Sequence, residues 1–141
     1  MPPPSTKIYP TGSYPSDWNV SKVTDTSDMF FGATSFNRDL SDWNVSKVTD
    51  MDNMFHGTTS CATSFNGDLS EWDISKVTSM RNMFNCATSF NQDLCAWNDK
   101  FTPSNASKMF YKSGCTFQDS PDEQEGGPFC SSSCQEVEND G

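Results

Sequence analysis

Apolar and polar positions recur along this chain as columns set by a long repeat. Its four tryptophans, Trp18, Trp43, Trp72 and Trp97, stand 25, 29 and 25 residues apart. Trp43-Asn44-Val45-Ser46-Lys47-Val48-Thr49 returns as Trp72-Asp73-Ile74-Ser75-Lys76-Val77-Thr78. Met29-Phe30, Met54-Phe55, Met83-Phe84 and Met109-Phe110 form a second set of columns. Phe36-Asn37, Phe65-Asn66 and Phe90-Asn91 form a third, each leading through Asp-Leu to the next tryptophan. A fixed period in the twenties is the mark of a repeat solenoid. Within each coil, Val-Thr-x-Met is short and partly β-branched and predicts a brief strand. The Asp or Asn ahead of Met-Phe predicts a helical turn with its cap. Phe-Asn-x-Asp-Leu-Ser-x-Trp predicts the turn back. The apolar spacing of three in Val45, Val48, Met51 and Met54 matches neither the two of a strand nor the 3.6 of a helix.

One coil buries too few side chains to offset the entropy of ordering its backbone, so the coils must stack and share their apolar faces. The pattern divides the chain into a proline-rich leader (1–17), a body of about four repeats (18–118) and an acidic, cysteine-containing cap and tail (119–141).

Composition alters this picture in two ways. Only 33% of the 141 residues are hydrophobic, which would suggest disorder were they not gathered in columns. The net charge is −10, unevenly placed: seven acids and no Lys or Arg follow Ser113, while twelve acids face nine bases before it. Such a chain lacks the basic patch that nucleic acid or an anionic membrane surface requires. No run approaches the 18 apolar residues of a membrane span, and Met1-Pro2-Pro3-Pro4 opens no signal peptide. The expectation is a mature form or a fragment of a longer protein, without membrane insertion.

Asn37, Asn66 and Asn91 form one column and Asp39, Asp68 and Asp93 another. Stacked Asn side chains can satisfy backbone groups in the turns between coils. A calcium ladder on the Asp column is the sharper alternative, but calcium takes about six to eight oxygens and each coil supplies few. The stretch from His56 to Phe65 carries about four more residues than Phe31 to Phe36, and this bulge is the most irregular surface of the body.

Cys61 and Cys86 both stand four residues before the next Phe of their coils, 25 residues apart. Neighbouring strands lie about 4.7–4.9 Å apart, within the roughly 4.4–6.8 Å Cα separation of a disulfide. A Cys61–Cys86 bridge is therefore expected. Cys95, Cys115, Cys130 and Cys134 crowd the C-terminal end, where two disulfides would cap the exposed core; three pairings remain open. Six cysteines in a small domain point to an oxidising compartment. Zinc is the competing reading of Cys130-x-x-x-Cys134, weakened by a single histidine and no second close Cys pair. Sequons at Asn19, Asn44 and Asn105 suit a secreted chain.

No catalytic constellation emerges. His56, the only histidine, lacks a nucleophile motif and reads as an exposed loop residue. No phosphate loop, dinucleotide fingerprint or zinc-protease motif occurs, so no catalytic residue, cofactor or metal ligand is assigned.

The unit Ser46-Lys47-Val48-Thr49-Asp50-Met51-Asp52-Asn53-Met54-Phe55 with Phe65-Asn66-Gly67-Asp68-Leu69-Ser70-Glu71-Trp72 resembles the repeat of BspA-like, leucine-rich-repeat-related surface proteins of bacteria, diatoms and other algae. Asp93-Leu94-Cys95-Ala96-Trp97 and the segment through Cys115 to Cys130 resemble the ending of the algal members. The resemblance implies an extracellular or surface-anchored binding module, sometimes linked to adhesion. Thr26 in place of the expected Met, and the leader in place of an N-terminal cap, depart from the family and suggest a chain cut from a longer array.

The resulting expectation is a right-handed solenoid of leucine-rich-repeat-like coils, each with a short strand and a short helical turn, closed by a disulfide cap. Its function would be recognition of a protein or glycan at the cell surface. The candidate binding residues are the lysine column Lys22, Lys47 and Lys76 with Thr24, Thr49 and Thr78. The alternatives are a self-associating structural spacer and, more remotely, calcium or ice binding through the Asp or Thr ladders.

Overall fold

The computed structural model describes residues 18–101, 105–121 and 127–134. The leader (1–17) and most of the acidic tail, including Asp122, Glu123, Glu125, Glu136, Glu138 and Asp140, lie outside the described residues.

Successive turns build each repeat. Met29, Phe31 and Ala33 donate their N–H groups three residues back, to Thr26, Asp28 and Phe30. The intervening amides point the other way along the stack. Thr26, Asp28, Phe30 and Gly32 donate to the carbonyls of Asp50, Asp52, Met54 and His56 in the next repeat, at 2.8–3.0 Å. Met51, Asn53, Phe55 and Gly57 do the same onto Ser79, Arg81, Met83 and Asn85. Met80, Asn82, Phe84 and Cys86 repeat it onto Asn105, Ser107, Met109 and Tyr111. Each repeat is thus a tier, held to its neighbour by every second amide and to itself by the amides between.

This arrangement overturns the strand-and-helix coil expected from the pattern. Among the described residues the helical element is one 3-10 helix, Cys95–Lys100, outside the repeated Met-Phe segments. The expected strands reduce to isolated parallel bridges, Asp25 with Asp50, Asp50 with Ser79 and Ser79 with Asn105, and no sheet forms from them. The right-handed, leucine-rich-repeat-like solenoid of short strands and helical turns is therefore not the fold. The physical reason lies in the third position of each turn. Asp28, Asn53, Asn82 and Lys108 adopt φ of 60°, 58°, 56° and 55°. A positive φ there closes a tight turn and prevents a helix from propagating. Asn and Asp tolerate that conformation best among side-chain-bearing residues. The residue read as a helix cap is instead the left-handed residue of a turn.

Lys108 is the unfavourable member of this column, being neither Asn, Asp nor Gly. Lys108→Asn is expected to stabilise the fold by about 0.5–1 kcal/mol, since left-handed backbone costs an ordinary residue about 1–2 kcal/mol and Asn part of that. Guanidinium denaturation with the disulfides intact measures it, and an unchanged or lower midpoint contradicts the reading.

Asx turns shape the remaining loops. The Oδ1 atoms of Asn19, Asn44 and Asp73 accept the N–H two residues ahead, from Ser21, Ser46 and Ser75. Those of Asp39, Asp68 and Asp93 accept from Ser41, Ser70 and Cys95, all at 2.9 Å. The Asn column bonds across tiers instead. Asn37 accepts the N–H of Asn66 at 3.1 Å, Asn66 that of Asn91 at 2.9 Å, and Asn91 that of Thr116 at 3.3 Å.

The core is a set of files of like side chains. Phe30, Phe55, Phe84 and Phe110 stack with centroid spacings of 5.4, 5.4 and 5.7 Å. Phe36, Phe65 and Phe90 form a parallel file, and within tiers Phe55 meets Phe65 at 4.3 Å and Phe84 meets Phe90 at 4.0 Å. Trp18, Trp43 and Trp72 follow at 6.3 Å steps. The indole N–H groups of Trp72 and Trp97 donate to the carbonyls of Leu40 and Leu69, each at 2.9 Å. Burial of these rings is the main driving force for stacking the tiers.

Three disulfides join the structure: Cys61–Cys86, Cys95–Cys134 and Cys115–Cys130. The first links adjacent tiers, with Cα atoms 4.3 Å apart. The other two fasten the C-terminal segment over the last tier. There Cys130 bridges to Asp93, and Phe129 is fully buried against Phe101 at 5.1 Å, ring edge to face.

Candidate functional site

Chain register places one side chain per tier immediately after each Met-Phe pair: Phe31, His56, Asn85 and Tyr111. The Met and Phe before it point into the core, so this position faces outward or toward its neighbours. Among the described residues, Phe31 and Tyr111 are the only large hydrophobic side chains left exposed, at 49% and 45%. Phe31 lies against His56 with ring centroids 5.1 Å apart. Asn85 is buried and donates to Asn82 Oδ1 at 3.1 Å. Lys112 and Lys108 place their ammonium groups 5.3 and 5.6 Å from the centre of the Tyr111 ring.

A cleft of about 290 Å³ opens on this face. Its walls include His56, Thr58 and Thr59 on one side and Asn85, Tyr111 and Lys112 on the other, with the Cys61–Cys86 bridge beside them. The four extra residues of the second Met-Phe tier form its rim. They fold as a further turn, in which Cys61 donates to the Thr58 carbonyl at 3.2 Å, with Thr58 and Cys61 both at positive φ. The cleft is therefore a product of the insertion. Large exposed apolar groups around a hollow with convergent polar groups are the usual surface form of a binding site.

His56 is half-buried in this wall, not the freely exposed loop residue its sequence context suggests. Its Nδ1 accepts the N–H of Thr58 at 2.9 Å, so the neutral ring carries its proton on Nε2. Burial holds its pKa below the usual 6.5, against a smaller opposing pull from Asp28. A histidine whose folded pKa is depressed contributes stability that is complete above its unfolded pKa and is lost as pH falls through the folded value. The His56 titration followed by NMR is expected to fall below 6.5, with the Thr58 amide resonance shifting in step as its acceptor is protonated. A midpoint above 6.5, or a Thr58 amide blind to the titration, contradicts this geometry.

The residues singled out in the sequence fall elsewhere. Lys22, Lys47 and Lys76 are exposed in a file. The hydroxyls of Thr49 and Thr78 donate to the carbonyls of Thr24 and Thr49 at 3.2 and 3.1 Å, alongside the backbone amides of the same residues. Those threonines hold tiers together. In the Asp column, Oδ1 of Asp39, Asp68 and Asp93 is already engaged by a backbone N–H, and the bonds from Ser41 hold the Asp39 carboxyl below its usual range. Asp73 is lowered in the same way by Ser75. Among the described residues no three of His, Cys, Asp or Glu converge as a metal site. A second hollow of about 400 Å³, between the Asp39 and Asp68 turns, has no aromatic or lysine side chain on its walls.

These features define a class: a disulfide-tied stack of turn-built repeats with one aromatic, partly basic face. The chain belongs to the family described as "Mycoplasma protein of unknown function, DUF285", whose model matches residues 9–122. No curated protein and no solved structure matches it. Among the described residues, no helix is long and apolar enough to cross a membrane.

Proposed function

We propose that this chain is a non-catalytic binding module of the BspA-like kind, working outside the cell or on its surface and recognising a protein or glycan. The observation that carries the reading is the pair of exposed rings at one repeat position, Tyr111 in the wall of the cleft and Phe31 against the ring of His56 in that wall. Exposed aromatic rings beside a polar hollow are a costly surface to leave in water without a partner. Three disulfides support an oxidising compartment. Membership of the DUF285 family supports the surface-repeat reading, together with the resemblance of residues 46–72 to BspA-like repeats. In this reading residues 18–118 form the recognition body, residues 119–141 its cap and tail, and residues 1–17 its leader.

The binding face moves from the lysine and threonine file to the Phe31–Tyr111 file. An array of immobilised glycans and extracellular-matrix proteins tests it with three proteins: the parent chain, Phe31→Ala/Tyr111→Ala, and Lys22→Ala/Lys47→Ala/Lys76→Ala. Loss of at least tenfold in binding for the aromatic variant alone is expected. Binding lost only in the lysine variant, or absent from every spot with the parent chain, overturns the reading.

A further inference from the structure

Resting on that reading, we propose that the cleft beside Tyr111 takes an acidic sugar, a pyranose ring bearing a carboxylate. Three features of the cleft specify this chemistry. Tyr111 offers an exposed ring, a flat apolar surface suited to the C–H face of a saturated sugar. Lys112 in the cleft wall and Lys108 outside it hold their ammonium groups over that ring, 5.3 and 5.6 Å from its centre, and no carboxylate residue lines the cleft. In a chain of net charge −10 this is a local positive island, aimed at one anionic group. Among the remaining lining groups, His56 Nε2–H and the Thr59 hydroxyl are short hydrogen-bonding groups suited to sugar hydroxyls, while the Thr58 hydroxyl pairs with Ser60 and the buried Asn85 amide with Asn82.

The volume, about 290 Å³, lies just below the usual range of ligand sites, about 300 to 1,000 Å³. It admits a single ring and not an extended chain. The surrounding negative charge opposes a long polyanion such as nucleic acid, so a terminal or isolated acidic sugar fits better than a densely charged polymer.

Methyl β-D-glucuronide and methyl β-D-glucoside share one ring and differ in the carboxylate, so the pair separates stacking from charge recognition. In two-dimensional NMR titrations of the intact chain, the glucuronide is expected to shift the amides of Thr58, Thr59, Tyr111 and Lys112. The glucoside should need at least fivefold higher concentration for the same shift. Lys112→Gln should remove that preference while leaving the spectrum otherwise native, and Tyr111→Ala should weaken both sugars. Equal response to the two sugars, shifts centred elsewhere, or no response to either overturns the acidic-sugar assignment. If no sugar binds but the Phe31→Ala/Tyr111→Ala variant still loses its array partner, the assignment alone fails and the aromatic face stands. If the array partner is instead held by the lysine file, both fail.

Discussion

Replacing Trp72 by alanine is expected to destabilise the fold by about 3–5 kcal/mol, as for other large aromatic residues cut from cores. Trp72 is 1% exposed, stacked on Trp43 at 6.3 Å, and its indole N–H is bonded to the Leu40 carbonyl. The substitution opens a ring-sized void in the file and removes one of that carbonyl's two donors, leaving the Trp43 N–H at 3.1 Å. Trp72→Phe separates the two effects. It restores most of the apolar volume but not the donor, and should cost about 1–3 kcal/mol. Guanidinium denaturation of all three proteins, disulfides intact, gives the order parent, Phe, Ala. A phenylalanine variant as unstable as the alanine one would assign the role of Trp72 to its hydrogen bond and not to packing.

Gly57→Ala is expected to cost about 2–3 kcal/mol, at the upper end for overpacking. Gly57 is buried between two tiers and donates its N–H to the Asn85 carbonyl at 2.8 Å. A Cβ there would collide with the Cys86 carbonyl, which is backbone and fixed by the Cys61–Cys86 bridge. Gly32→Ala is the control from the neighbouring tier. Its Cβ would meet the Thr58 methyl at 3.0 Å, a side chain that can rotate, although φ of 70° adds backbone strain. The expected order is therefore Gly57→Ala more damaging than Gly32→Ala. The reverse order would mean that left-handed backbone, and not tier contact, limits this region. Because Gly57 opens the insertion that rims the cleft, the same variant should also displace the His56 and Thr58 resonances.

The columns were legible because identical side chains recur in register, and stacking like on like follows from burying them. Val45, Val48, Met51 and Met54 carried the one sign of the actual backbone. Their spacing of three fits neither strand nor helix: Val48 and Met54 close turns three residues back onto Val45 and Met51, while Met51 between them donates to Ser79 in the next tier. The secondary structure itself was not legible. Asn53 ahead of Met54-Phe55 has the chemistry of a helix cap and of a left-handed turn residue alike, and the tier-to-tier bonds of its own and alternate amides decide between them.

For the proposed site, repetition pointed to a different file. Lys22, Lys47 and Lys76 stood out because they repeat, whereas Phe31, His56, Asn85 and Tyr111 share a position without sharing a type. A search for columns passes over such a file. Its one sequence-level signal was the insertion after His56, noted as the most irregular surface of the body. Likewise, Cys61 and Cys86 shared a repeat position that located their bridge. The pairing of Cys95 with Cys134 and Cys115 with Cys130 depends on how the segment around Phe129 folds back, which no repeat specifies.

Every second amide of the Met-Phe segments bonds to the next tier and not within its own. Through-hydrogen-bond scalar couplings in the isotopically labelled chain measure this directly. Couplings from the nitrogens of Phe30, Phe55 and Phe84 to the carbonyl carbons of Met54, Met83 and Met109 are the expected result. Couplings from those nitrogens to carbonyls four residues back in the same repeat would contradict it, restoring the helical turn that the turn-built tiers replace.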